Sequence, residues 1–168
     1  DYTFTLNREK IVELADGTER DISNGWFVGH PIKTHYGLEK IGIWQLDEAD
    51  EAAKYGEQPG RIKIKDQNQD GVIDNDHDRV ILGSEVPDFV MGMNNTFRYR
   101  NFDLRVFMYW RQGQMLHSEA NGYGSFRVQG DPGLKVDYWT PENPTNEFPR
   151  PEKSYSDSSK LESLGYVD

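Results

Sequence analysis

Cysteine is absent from the 168 residues, so neither a disulfide framework nor thiol chemistry is open to this chain. Basic residues are in deficit: 19 Lys and Arg stand against 29 Asp and Glu, a formal charge of −10. Nucleic-acid backbones and anionic membrane surfaces reward the opposite balance, so no nucleic acid is expected as a partner. No secretory signal opens the sequence, and no apolar run approaches the roughly 18 to 20 residues that a membrane helix needs. A barrel strand needs only about 9 to 11 alternating residues, so the mean hydropathy of −0.84 leaves a β-barrel open.

Catalytic signatures are missing as well. The four histidines, His30, His35, His77 and His117, show no HExxH or paired spacing, and there is no GxSxG, phosphate loop or dinucleotide fingerprint. Carboxylates are abundant, yet nothing singles out one pair as a hydrolytic dyad. No enzyme is proposed from the sequence.

Aromatic residues, at 12 %, are what the chain has in plenty, and they fit either a sugar-binding surface or an interfacial girdle. The clearest pattern is a pair of alternating segments. "FVMGMNNTFRYR" sets Phe89, Met91, Met93, Phe97 and Tyr99 against Gly92, Asn94, Thr96, Arg98 and Arg100, with Asn95 breaking the apolar row. "NFDLRVFMYWRQ" sets Phe102, Leu104, Val106, Met108 and Trp110 against Asp103, Arg105, Phe107, Tyr109 and Arg111. A turn of about two residues joins them. Two readings stay open: neighbouring strands of a transmembrane barrel with aromatics near both ends, or a half-buried hairpin on a soluble core.

Elsewhere, strands are expected near 2–8 and 34–44. A short helix is expected within "LDEADEAAKYGEQPG", with Asp47 as N-cap, Gly56 at the C-terminal cap and Pro59 beyond. Residues 9–33 read as an excursion with at most a short hairpin around Asp16-Gly17 and Asn24-Gly25. Residues 45–88 and 113–168 read as long loops, the second with no regular structure in evidence.

"KDQNQDGVIDNDHDR" is the chemically distinctive stretch. Oxygen donors recur at Asp66, Asn68, Asp70 and Asp74, Gly71 stands sixth, and Val72 offers its carbonyl at the seventh position, the front half of a calcium loop. The twelfth position should supply a carboxylate but is His77, so Asp78 is the candidate closing ligand, one residue late. Calcium in a structural role and an empty acidic turn are the two readings; magnesium, which sheds water reluctantly, fits less well. Ile73 is expected to anchor the loop to the core.

Several blocks together carry a family resemblance: "GWFVGHPI", the run from "GIWQLDEADEAAKYG" through "DRVILGSEVPDF", the hairpin "MNNTFRYRNFDLRVFMYWRQG", and "DYWTPENPTNEFPRP". In this order they resemble the C-terminal part of SusC/RagA-like TonB-dependent outer-membrane transporters. The resemblance implies an all-β fold, antiparallel strands of a barrel that has 22 strands in the family, with long extracellular loops and one short helix. It implies that residues 1–168 are a partial barrel without the plug and the closing strands. The implied setting is the bacterial outer membrane, with the lipid bilayer, TonB (through the missing N-terminal part), a SusD-like surface lipoprotein and an oligosaccharide or peptide substrate as partners. Trp26, Tyr123, Tyr138 and Trp139 are the candidate substrate or lid contacts. The competing reading is a soluble, calcium-stabilised β module that binds carbohydrate through Trp26, Trp44, Tyr123 and Trp139.

Overall fold

A computed structural model describes residues 1–118, 137–151 and 157–167. The described strands are β1 (Tyr2–Thr5), β2 (Arg20–Asp21), β3 (Trp26–Phe27), β4 (Thr34–Leu38), β5 (Lys40–Ile43), β6 (Ile62–Ile64), β7 (Arg79–Ser84), β8 (Phe89–Tyr99), β9 (Phe102–Gln112), β10 (Leu116–His117) and β11 (Tyr166–Val167). The α-helices are α1 (Ala49–Lys54) and α2 (Ser158–Glu162). The described structure is thus built mainly of strands, and the chain divides into two compact units.

The first unit comprises Asp1–His35 and Gly83–Leu116. Its frame is an antiparallel sheet in the order β1-β8-β9. β8 and β9 occupy the spans that the alternation implies, and Tyr99 pairs with Phe102 across the two-residue turn Arg100-Asn101. A turn that short fixes the register, and the register decides which side chains share a face. Met91 meets Trp110, Met93 meets Met108, Asn95 meets Val106 and Phe97 meets Leu104, so the two apolar rows lie side by side. β1 extends the same face, because Tyr2 opposes Met93 and Phe4 opposes Met91. Phe4 and Phe89 stack with centroids 5.5 Å apart at the end away from the turn.

This face is not a core. Met91 is 40 % exposed and Met108 53 %, and Phe97, Leu104, Phe102 and Trp110 are exposed too. The opposite face carries Thr3, Gly92, Asn94, Thr96, Arg98, Arg105 and Tyr109, with Arg98 Nε 3.4 Å from Asp103 Oδ1. A hairpin resting on a soluble nucleus would bury its apolar row; this one leaves it open.

The second unit comprises Tyr36–Leu82 and His117–Val167. Its core joins Leu38, Ile43, Ile62, Ile64, Trp139, Leu161 and Leu164, with Ile73 and Phe148 packed against them. Ile73 therefore ties the acidic loop to the core. β5 and β6 pair antiparallel, with a register shift between Lys40 and Gly42. The expected 34–44 strand is interrupted at Glu39, which leaves β4 and β5 as separate strands. At the β5 register shift Gly42 takes φ 153°, and a Cβ there would meet Asn146 Oδ1 at 2.9 Å, so the position calls for glycine.

Other expectations need correction. β1 is described only over Tyr2–Thr5 rather than 2–8. The helical segment opens as a 3-10 turn, Leu46–Glu48, capped by reciprocal bonds between Gln45 and Glu48, so Gln45 and not Asp47 is the cap. Gly56 ends α1 at φ 69°, as its position suggests. The stretches read as loops contain β6, β7, β10, α2 and β11, so the described residues hold two α-helices where one was expected. Asp157 starts α2 by accepting the Lys160 backbone N–H at 3.2 Å.

Candidate functional site

The acidic loop folds around its own backbone. Asp66 Oδ1 accepts the Gln69 N–H at 2.7 Å and Oδ2 the Gly71 N–H at 2.9 Å, while Asp70 Oδ1 accepts the Val72 N–H at 2.8 Å. Gly71 takes φ 84°, the left-handed turn for which a calcium loop reserves glycine. Asn68 accepts the Asp70 N–H and donates its Nδ2 to Asp70 Oδ2 at 2.7 Å. Asp78 has no exposed surface; its Oδ1 accepts the Gln67 N–H and its Oδ2 the Asp74 N–H, both at 2.8 Å. It works as a strut that closes the loop on itself. Asp74 accepts the Asp76 and His77 N–H groups at 2.8 Å, and the His77 ring stands 3.1 Å from it. Hydrogen bonding within that pair holds the Asp74 carboxyl below its ordinary range and lifts the His77 imidazole above its own.

The donors are oxygen throughout and suit a hard cation. Their side chains are nonetheless not gathered: among the described residues, no three His, Asp or Glu groups cluster closely enough to hold a metal ion.

The expected contact residues separate into different surroundings. Trp139 is 4 % exposed and belongs to the core of the second unit. Its indole lies over Gly60, where a Cβ would come within 2.6 Å of Cε3, and its Nε1 donates to Gln45 Oε1 at 2.8 Å. One edge still lines a cavity of about 480 Å³ with Leu46, Pro59, Pro141 and Arg150. Trp44 is also buried, beneath the Lys63 ammonium 4.3 Å from its ring, and so offers no open sugar platform. Tyr138 is exposed. Tyr123 lies outside the described residues.

Trp26 is the expected contact that stands open in the first unit. It pairs with Asp21 across the β2–β3 hairpin, whose turn Ile22–Gly25 is shaped by Asp21. The Asp21 carboxylate accepts from Ser23 Oγ at 2.7 Å, the Asn24 backbone N–H at 3.1 Å and Asn24 Nδ2 at 2.7 Å. These bonds, the Ser23 hydroxyl foremost, hold its carboxyl below the usual range. "DISNG" carries, besides the Asn24-Gly25 turn signal, the Asp of an Asx-type turn that places a carboxylate beside Trp26.

No protein-family model matches the chain. Two curated proteins of Formosa agariphila are similar over most of it. TonB-dependent receptor P26 is 34 % identical over 163 residues, 88 % of this chain and 16 % of its own length. TonB-dependent receptor P3 is 31 % identical over 165 residues, 89 % of this chain and again 16 % of its own length. The chain matches a portion of a TonB-dependent receptor. It spans about one sixth of the length of the receptors it matches, and what this structure shows concerns that portion.

One titration probes the second unit of this receptor-like segment. Burial, reinforced by the Glu162 carboxylate 3.2 Å from its hydroxyl, pushes the Tyr166 phenol up to about 12. Folding therefore favours the neutral phenol. That stabilisation is complete below about pH 10, the unfolded value, and is lost as pH rises towards 12. Ultraviolet titration of the folded chain should show one phenol ionising last, near pH 12, and Tyr166→Phe should remove that step alone.

Proposed function

We propose that this chain supplies barrel wall and extracellular loops, from the C-terminal part, of a SusC/RagA-type TonB-dependent importer in the bacterial outer membrane. The observation that carries the reading is the apolar face shared by β1, β8 and β9, continuous in register and open to its surroundings. Its height supports a membrane. Ten residue steps from Phe89 to Tyr99 span about 34 Å, which at a strand tilt of about 35–45° gives about 24–28 Å, close to the ~25 Å apolar band of outer-membrane barrels. Aromatic residues lie at both limits, Tyr99 and Phe102 beside the turn and Phe4, Phe89 and Trp110 at the other end. Similarity to two TonB-dependent receptors points the same way.

In this reading the short turn at Arg100-Asn101 faces the periplasm, the long connections face outward, and the polar sheet face lines the lumen. Glycan or peptide is the cargo, TonB the energy source through the rest of the receptor, and a SusD-like lipoprotein the lid. Buried Trp44 and Trp139 weaken the soluble carbohydrate module, which relied on both.

The acidic loop is proposed to hold calcium structurally, through Asp66, Asn68, Asp70, the Val72 carbonyl and Asp74, with Asp78 closing the loop. Oxygen donors and the Gly71 turn support this; the ungathered carboxylates count against it. For the full chain in detergent, millimolar calcium should raise the melting temperature, by about 2.7 kcal/mol of stability at a hundredfold excess over Kd. Asp66→Ala should abolish the rise. An unchanged melting temperature in the wild-type chain would remove calcium from the account.

The membrane reading is tested by size-exclusion chromatography. With its apolar face and sheet edges open, the full chain should aggregate in plain buffer and become monodisperse in detergent. A monodisperse monomer in buffer would refute the reading.

A further inference from the structure

A hollow of about 480 Å³ in the first unit gathers charges of both signs: Arg8, Glu9, Lys10 and Asp88 line it, with Val86 and Pro87 as apolar wall. Among the described residues none of these four charged side chains has an ion pair or a side-chain hydrogen bond, whereas Lys33 of the same unit is held by Glu85 at 2.9 Å. Two cations and two carboxylates thus stand around one space without satisfying one another, and they offer a field of both signs to whatever enters it.

The sheet fixes where this hollow lies. Thr5, the last residue of β1, pairs with Val90 of β8, and the Asp88 N–H still donates to the Gln112 carbonyl at 2.7 Å. Arg8 and Asp88 therefore leave the sheet at one and the same end, opposite the Arg100-Asn101 turn and just past the stacked Phe4 and Phe89. If the apolar face meets lipid, its aromatic limit is the boundary with the headgroup layer.

We propose that the hollow is a headgroup site for a zwitterionic aminophospholipid. Arg8 and Lys10 take the phosphate, Glu9 and Asp88 take the primary ammonium, and the acyl chains run down the apolar face past Phe4 and Phe89. This rests on the barrel-wall reading and names a lipid that the wall selects.

Each set of charges excludes a competitor. Guanidinium and ammonium groups both bind phosphodiesters, the first through two parallel hydrogen bonds. An anionic headgroup would set its phosphate against Glu9 and Asp88 as well, the same repulsion that a formal charge of −10 imposes at longer range. Phosphatidylcholine balances the charges, but its quaternary ammonium has no N–H to donate, whereas a primary ammonium has three. The volume falls within the roughly 300–1,000 Å³ of small-molecule sites, and Val86 and Pro87 give the ethylene and glycerol carbons an apolar wall.

The test uses the full chain in amine-oxide micelles doped with equal amounts of dioleoyl phosphatidylethanolamine, phosphatidylcholine and phosphatidylglycerol, with native mass spectrometry of the lipid each chain retains. Phosphatidylethanolamine should be retained at least about fivefold over each of the others, the scale of charged hydrogen bonds that they cannot complete. Arg8→Gln with Lys10→Gln should erase that preference, and in Glu9→Gln with Asp88→Asn phosphatidylglycerol should overtake. Lys33→Gln, which removes a cation that already has a partner, should change neither. Equal retention of the three lipids overturns the proposal, as does a lead for phosphatidylglycerol in the unmutated chain or an undiminished preference in either double variant. Displacement by millimolar glycerophosphoethanolamine as readily as by the whole lipid also overturns it, by making the ligand a soluble phosphodiester. A chain that needs detergent but shows no lipid preference loses this site and keeps the wall. A chain that is monodisperse in plain buffer loses the wall and, with it, the membrane setting of the site.

Discussion

Arginine at Met93 or Met108 is expected to weaken partition of the chain into fluid phosphatidylcholine vesicles by roughly 30- to 900-fold, the equivalent of about 2–4 kcal/mol for a cation at the bilayer midplane. The two residues are direct partners in the β8–β9 register and stand near the middle of the strands, so they mark the depth where a charge costs most. At Met108, 53 % exposed, the surroundings impose no steric obstacle, which makes it the cleaner of the two sites. Any loss there must therefore come from transfer into hydrocarbon rather than from overpacking. The control lies one residue away: Asn94→Arg and Thr96→Arg put the same charge at similar depth on the polar face, beside Phe107 and Arg105. They should change partition little. Equal losses on both faces would mean that the sheet has no lipid side.

Lys160→Ala should lower the stability of the second unit by about 3 kcal/mol, the order found when one partner of a buried ion pair is removed. Lys160 Nζ sits 2.5 Å from Glu57 Oε1, and both side chains are about nine-tenths buried. Truncation would leave the Glu57 carboxylate facing, among the described residues, Arg61 at 3.4 Å. That second cation keeps the expected loss at the lower end of the range. The bond also joins residues 103 apart in sequence, bringing α2 to the segment that follows α1. Urea titration read by the buried Trp44 and Trp139 should show the midpoint fall, whereas Lys160→Met with Glu57→Leu should recover most of it by leaving neither charge behind. An unaltered midpoint in Lys160→Ala would remove the pair from the account of stability.

The difference between these two sites explains what could be read in advance. β8 and β9 were legible because period-two alternation over eleven residues each, joined by a two-residue turn, leaves little choice of register. Residues 36–38, 62–64, 139 and 161–164 carry no such local signal. Their core forms only when distant segments meet, so a Ser-rich tail hid α2 and an aromatic, Pro-rich loop hid the burial of Trp139. Gln45 likewise looked like an ordinary polar residue before its amide was seen to cap the 3-10 turn and receive the Trp139 N–H. The acidic loop was legible as spacing, with Gly71 and Ile73 in the expected places. The role of Asp78 was not, because spacing offers a ligand where packing provides a buried strut.

Single nitroxide labels along β8 and β9, with the chain reconstituted in bilayers, test the central claim most directly. The account predicts that labels at 91, 93, 104, 106 and 108 are relaxed strongly by oxygen, which concentrates in lipid, and those at 92, 94, 96, 105 and 107 by a water-soluble nickel chelate, alternating residue by residue. Equal relaxation of both sets by the chelate would contradict it.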